Sequence, residues 1–400
     1  MAQQAIDSAL YHTVRTLSET IGPRPVGSSA NRQAAAYLRR QLQAAGLEVE
    51  MQPYACPDWT LDQAALLLDG TPLTFAANPY SPACELTLPC TPLGTLEELQ
   101  QADLHGRMAL LYGALAARGL LPPYAAYSDA PDPLAALLIE KAPAAVLMAQ
   151  TWPGSTAPLI EDWTFPIPSA TLTPESALRL LKNPAGELHL TIASRREESQ
   201  TANLVACLPG RGAKSVLVCA HFDTHPGGPG AMDNAGGAAV VLELARRQAA
   251  EAVGELGLEF VFFSGEETGG TDFDAYLAQR GGSLAHLAGC LNIDGVGQLG
   301  STASLTFLGE ETPLAAALRA VPPAHGPAVW VEPWYESDHS LFAMRGIPAA
   351  AVSSVGFARV HDTPADTLDW IDPHRLAEAY YLARAALGTL LGELRENIKQ

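Results

Sequence analysis

The sequence predicts an α/β fold: a mostly parallel sheet covered by helices on both faces, with a smaller inserted β-rich domain. Three observations carry this. After residue 200, apolar runs alternate regularly with helical stretches. The runs are almost continuously apolar, which suits strands covered on both sides rather than one. Between about 57 and 197 prolines cluster and the alternation fades, so residues 1–56 and 198–400 read as one domain and 57–197 as an insert.

The elements follow in order. Ile6, Leu10, Val14 and Leu17 recur at helical spacing over 5–20, and 30–45 is rich in Ala, Leu, Gln and Arg. GPRPVGSS between them rules out one continuous helix. Gly46 ends the second helix, and LEVEMQPYA alternates like a strand. In the insert, Asp69-Gly70 signals a hairpin. Short apolar runs at 108–112 and 144–148 read as strands, and Thr173-Pro174-Glu175 opens a helix. Beyond it, strands are expected at 202–208, 215–220, 257–263, 287–293 and 348–353, and helices at 234–250, 271–281, 312–320, 338–345 and 374–392.

Composition narrows the function classes. The chain has 400 residues, 48% of them apolar and 17% charged, enough to bury a sizeable core. Its formal charge of −19 repels nucleic acid and anionic membranes and attracts cations and free amines. No run approaches the ~18 apolar residues of a membrane span, and no basic start followed by an apolar run marks a secretory leader. The six cysteines are sparse and lack CxxC spacing, as in a reduced, cytoplasmic protein. Cys84 and Cys90 would pair only in an exported one.

In an open α/β sheet, ligands bind beyond the carboxyl ends of the strands. His221 and Asp223 follow SVLVCA at once, Glu266 and Glu267 follow GLEFVFFSG, Asp294 follows LAGCLNI, and His361 lies in the loop after PAAAVSS. Each has an ordinary explanation taken singly. Asp233, for instance, stands where a helix N-cap belongs. Together they deliver imidazoles and carboxylates to one edge. Zinc takes imidazole nitrogen and carboxylate oxygen, and a pair of ions requires a carboxylate between them. Adjacent glutamates allow one to face a metal and the other to act as a base toward water. Asp223 is placed to hold the other nitrogen of His221.

The segments VLVCAHFDTHPGGPGAMDNAGGAAVVLELAR, EFVFFSGEETGG, CLNIDGVG, ESDHSLFAMRGIPAA and HDTPADTLDWID resemble the successive motifs of the di-zinc aminopeptidase family, which includes bacterial leucine aminopeptidases and glutamate carboxypeptidases. ETIGPRPVGSSANRQAAAYLRRQL resembles that family's N-terminal helices, and the insert is similar to a protease-associated domain. The resemblance implies two Zn2+ ions, other divalent ions being acceptable, bridged by Asp233. His221 and Asp294 would complete one position, and Glu267 and His361 the other. It makes Glu266 the general base and Asp223 the residue that orients His221, with a cis peptide at Asp233–Asn234.

The chain departs from the pattern in two places. Gly237 stands where the family usually has Ser, and Asp362 separates His361 from Thr363; His339 is the substitute ligand if His361 points elsewhere. Tyr335 is a candidate donor to an oxyanion, and His225, His286, His325 and His374 read as structural or surface residues. The implied activity is a metal-dependent exopeptidase cutting at a free amino terminus. The alternatives are a carboxypeptidase or dipeptidase of the same fold, a glutaminyl-cyclase-like transferase with one zinc, and a non-catalytic binding protein.

Overall fold

A computed structural model describes residues 2–120, 132–251, 254–356 and 358–398. The chain divides into two units, Met1–Cys56 with Gln200–Gln400 and Pro57–Ser199. Two long strands, Val49–Leu68 and Leu188–Leu208, carry it across the boundary. Among the described residues no helix is long and apolar enough to cross a membrane, and no disulfide forms.

In the larger unit the strand order is Val329–Trp330, Thr302–Leu308, Ala349–Val355, Leu287–Ile293, Ser215–His221, Gly257–Phe263, then the parts of Leu188–Leu208 and Val49–Leu68 that belong to this unit. The four strands from Ala349–Val355 to Gly257–Phe263 run parallel, and the strands flanking them, Thr302–Leu308 and Leu188–Leu208, are antiparallel. The register pairs His221 with Phe263 and Cys219 with Asn292, so the carboxyl ends of the central strands finish level with one another.

Both faces are covered because both sets of alternating side chains are apolar. Val216, Val218, Ala220, Phe260, Phe262, Leu291 and Ile293 point into one core. The helices Ala2–Arg15, Gly237–Ala249 and Pro373–Ile398 close it with Leu10, Val240 and Leu382. On the opposite face Phe263 meets Tyr276 and Phe342 at ring distances of 5.8 and 6.2 Å, and Phe273 meets Phe342 at 5.1 Å. Phe273 and Tyr276 belong to the helix Thr271–Gln279, and Phe342 to the helix His339–Ala343.

The strand Thr302–Leu308 was not expected from sequence. Ser304 and Thr306 break up its apolar run, yet both are buried in the sheet. Polar residues can occupy a buried strand without altering its pleat, and they hide it from a reading based on apolar continuity.

The smaller unit holds a five-stranded sheet in the order Phe75–Ala77, Ser169–Leu172, Ala145–Ala149, Met108–Leu111, Cys90–Leu93. Leu110 and Leu147 fill one core of this sheet, and Leu111 and Met148 the other. Asp69 and Gly70 form the hairpin turn, with φ of 50° and 72° where a tight turn needs two positive values. The helix Pro174–Lys182 starts as its opening residues predict, with the Thr173 hydroxyl accepting the Ser176 N–H at 3.2 Å. Thr173→Ala should therefore lower the stability of this unit by about 1 kcal/mol, read as a shifted urea midpoint at unchanged slope. An unshifted midpoint would mean that the cap contributes nothing.

Candidate metal centre

Beyond the level strand ends, two groups of side chains gather. His221, Asp233 and Asp294 form one, and His225, Glu267 and Asp362 the other, the ligand atoms within each lying no more than 4.8 Å apart.

His221 ends its strand and is 1% exposed. Its Nε2 lies 3.2 Å from Asp233 Oδ1 and 3.5 Å from Asp294 Oδ1, while Nδ1 lies 3.4 Å from Asp223 Oδ1. A neutral imidazole has one N–H and one lone pair. With the proton on the Asp223 side, Nε2 directs its lone pair at two carboxylates, an arrangement that requires a cation between them. Burial would lower the pKa of His221, but Asp294, Asp223 and Asp233 outweigh it and hold it well above the usual value. The donor set therefore fits a divalent ion.

Asp294 begins the loop after Leu287–Ile293, and its second oxygen accepts the Ser337 hydroxyl at 2.6 Å. Asn292 Nδ2 in turn donates to that hydroxyl at 2.7 Å. Burial would raise the pKa of Asp294, yet His221 and Ser337 pull it below the usual carboxylate range. Asp233 sits in the turn Ala231–Gly236 and is followed by a cis peptide to Asn234. The Met232 and Asp233 N–H groups both donate to Asp366, at 3.0 and 2.9 Å. Burial raises the pKa of Asp233, and the Asp294 and Asp362 charges add to this. Its carboxylate thus feels both groups. Gly237 is glycine because a Cβ there would fall 2.2 Å from both Ile293 O and Asn234 Oδ1.

In the second group His225 Nε2 lies 3.0 Å from Glu267 Oε2 and 3.5 Å from Asp362 Oδ1. Glu266 is half-buried at the head of the same short turn as Glu267. Burial is the main cause that pushes its pKa well above the usual range; His221 opposes this, and Glu267, Asp294 and Asp338 add to it.

Three further candidates stand outside both groups. His361 joins neither group; its side chain is 36% exposed and its Nε2 lies 3.9 Å from Asp362 Oδ2. His339 is no substitute. Its Nε2 lies 2.9 Å from Trp334 O, and burial lowers its pKa to about 4. Tyr335 is exposed. Sequence reasoning had set His225 aside and treated Asp362 as an interruption. The available signals were the second histidine of HFDTH and the position of Asp362 directly before Thr363-Pro364.

Arg24 was also missed. It is fully buried in the GPRPVGSS loop and donates to Phe222 O at 2.6 Å, Pro229 O at 2.6 Å and Gly230 O at 2.9 Å. Its own N–H donates to Thr224 Oγ1 at 3.0 Å. The loop carrying His225 is thereby pinned at both ends. Burial lowers the Arg24 pKa to about 10, against the raising influence of Asp366, Asp223, Asp233 and Glu267.

The chain is similar to several known proteins. The chain is 26% identical to the aminopeptidase YwaD of Bacillus subtilis, over 94% of this chain and 83% of that protein. It is 25% identical to carboxypeptidase Q of Xenopus laevis, over 66% of this chain and 60% of that one. Its fold matches the crystal structure of BSAP, a zinc aminopeptidase from Bacillus subtilis, with a TM-score of 0.75 at 23% identity, covering 95% and 94% of the two chains. Residues 203–387, which contain both groups, match the profile of Peptidase family M28. Over those residues, a little under half of the chain, this protein is similar to Peptidase family M28.

Proposed function

We propose that this protein is a zinc-dependent exopeptidase that removes residues from the free amino terminus of peptides. The observation that carries this is the pair of imidazole–carboxylate groups at the strand ends, with Glu266 beside them. His221, Asp233 and Asp294 would hold one zinc ion. Glu267 would contribute to the second, with Asp233 shared between the two. When bound, such ions polarise a peptide carbonyl and acidify water.

The chain's own groups do the rest. Glu266 takes the proton of the attacking water and passes it to the leaving amine. Burial raises its pKa well above the usual carboxylate range, the direction suited to a base that must both accept and return a proton. Asp223 holds the His221 ring by Nδ1, keeping Nε2 turned toward Asp233 and Asp294.

Charge supports cutting from the amino end. A carboxypeptidase needs a cation for the substrate carboxylate, best an arginine. Arg280 is paired with Glu50 and Glu259, at 3.1 and 2.8 Å. Arg345 stacks on Phe273 and donates to Leu341 O at 3.1 Å. Arg24 is spent on carbonyls, and Arg359 is engaged as well. The acidic surroundings suit an ammonium group instead. The likeness to carboxypeptidase Q makes release from the carboxyl end the alternative. Two tripeptides decide, one blocked at its amino end and one amidated at its carboxyl end. The amidated peptide should be cut and the blocked one spared, with chelation abolishing the activity. The reverse preference would refute the proposal.

On this reading residues 57–197 form a protease-associated-like domain, a proposal supported by their five-stranded sheet and by the sequence similarity of the insert. The sparse cysteines support a cytoplasmic setting. The charge of −19 supports a peptide partner rather than nucleic acid or membrane.

A further inference from the structure

The loop after the strand Ala349–Val355 carries two adjacent residues, His361 and Asp362, and only Asp362 joins the second group. Asp362 has φ of 60°, in the left-handed region that Asp and Asn tolerate better than other non-glycine residues. In that conformation its Oδ1 comes within 3.5 Å of His225 Nε2, while the neighbouring imidazole is partly exposed and belongs to neither group. Residues held in this region cost of order 1 kcal/mol and collect at functional sites.

His225 arrives from the opposite side. It follows the strand Ser215–His221 by four residues and is 4% exposed. Its carbonyl accepts the Thr224 hydroxyl at 3.0 Å, and that hydroxyl also accepts the Arg24 N–H. The ring is thus delivered by a braced turn rather than a free loop. Its Nε2 faces Glu267 and Asp362 as His221 Nε2 faces Asp233 and Asp294, the same disposition of one imidazole against two carboxylates.

Building on the two-ion reading above, we infer that the second cation is held by His225, Glu267 and Asp362 together with the shared Asp233, and that His361 is not a ligand. Without a gap, Asp362 occupies the place directly before Thr363-Pro364, where the resemblance puts a histidine. A carboxylate has replaced that imidazole, and His225 restores an imidazole from another loop. The second position then carries three carboxylates, Asp233, Glu267 and Asp362, against two at the first, Asp233 and Asp294.

The test is metal content on the full chain, stripped with chelator, reloaded with zinc, desalted and measured by atomic emission. The unmodified protein and His361→Ala should each hold one ion per group. His225→Gln and Asp362→Asn should each lose one of the two. Calorimetric titration of zinc into stripped protein gives a second readout, two binding steps for His361→Ala and one for Asp362→Asn. Asp362→His, which offers an imidazole in the same place, should keep both ions and guards against a folding defect in the Asn variant. Loss of one ion in His361→Ala, with both kept in Asp362→Asn, would overturn the inference and leave the peptidase reading intact. A single ion in the unmodified protein would instead overturn the two-ion reading itself, and this inference with it.

Discussion

Glu266→Gln should lower kcat by roughly 10²–10⁴-fold while leaving metal content unchanged. The substitution keeps size and hydrogen-bonding shape and removes only the ability to carry a proton. A loss of that size corresponds to about 3–5 kcal/mol of transition-state stabilisation, with little change in KM if Glu266 acts only in the chemical step. Glu267 makes the contrast. It lies 3.0 Å from His225, whereas among the described residues no group of ligand atoms includes Glu266. Glu267→Gln should therefore reduce metal content as well as rate. If Glu266→Gln loses an ion and Glu267→Gln does not, the two roles are interchanged.

Arg24 carries the second large effect. Its guanidinium replaces water for the carbonyls of Phe222, Pro229 and Gly230, and its charge faces Asp366, Asp223, Asp233 and Glu267. Removing one partner of such a buried network leaves the others unpaired, at about 3–5 kcal/mol. For a domain of this size that amounts to a fall in Tm of very roughly 10 °C, read on metal-free protein so that ion binding does not compensate. Arg24→Lys should restore only part of it, because one ammonium cannot fork toward carbonyls at separate points of the loop. A lysine variant as stable as the parent would show that charge alone matters and the geometry does not.

The sheet was legible because its strands are apolar on both faces and its helices amphipathic, a contrast strong enough to read from periodicity. His221, Asp233, Glu266, Glu267 and Asp294 were legible as candidates for a related reason: each lies at or beside the end of a readable element. The loop at 361–367 was not. A loop imposes no fixed alternation, so which of two neighbouring side chains faces inward depends on a backbone angle, here the φ of 60° at Asp362. His225 failed for the same reason, since nothing in its local pattern reports that Arg24, some two hundred residues earlier, braces its turn. Arg24 itself sat in a segment read only for its helix-breaking Gly and Pro.

The loop from His361 to Thr367 does two jobs at a fixed separation. Asp362 reaches His225, and Asp366, four residues on, receives the N–H groups of Met232 and Asp233. Between them Thr363 closes the turn by donating to Val360 O at 2.6 Å, while Pro364 and Ala365 are exposed. Drift along a lineage should therefore be free in composition at 364 and 365 but frozen in length. One residue gained or lost between Asp362 and Asp366 would force the chain to abandon either its hold on His225 or its hold on the Asp233 turn. Lineages of this protein should accumulate substitutions there and almost never insertions.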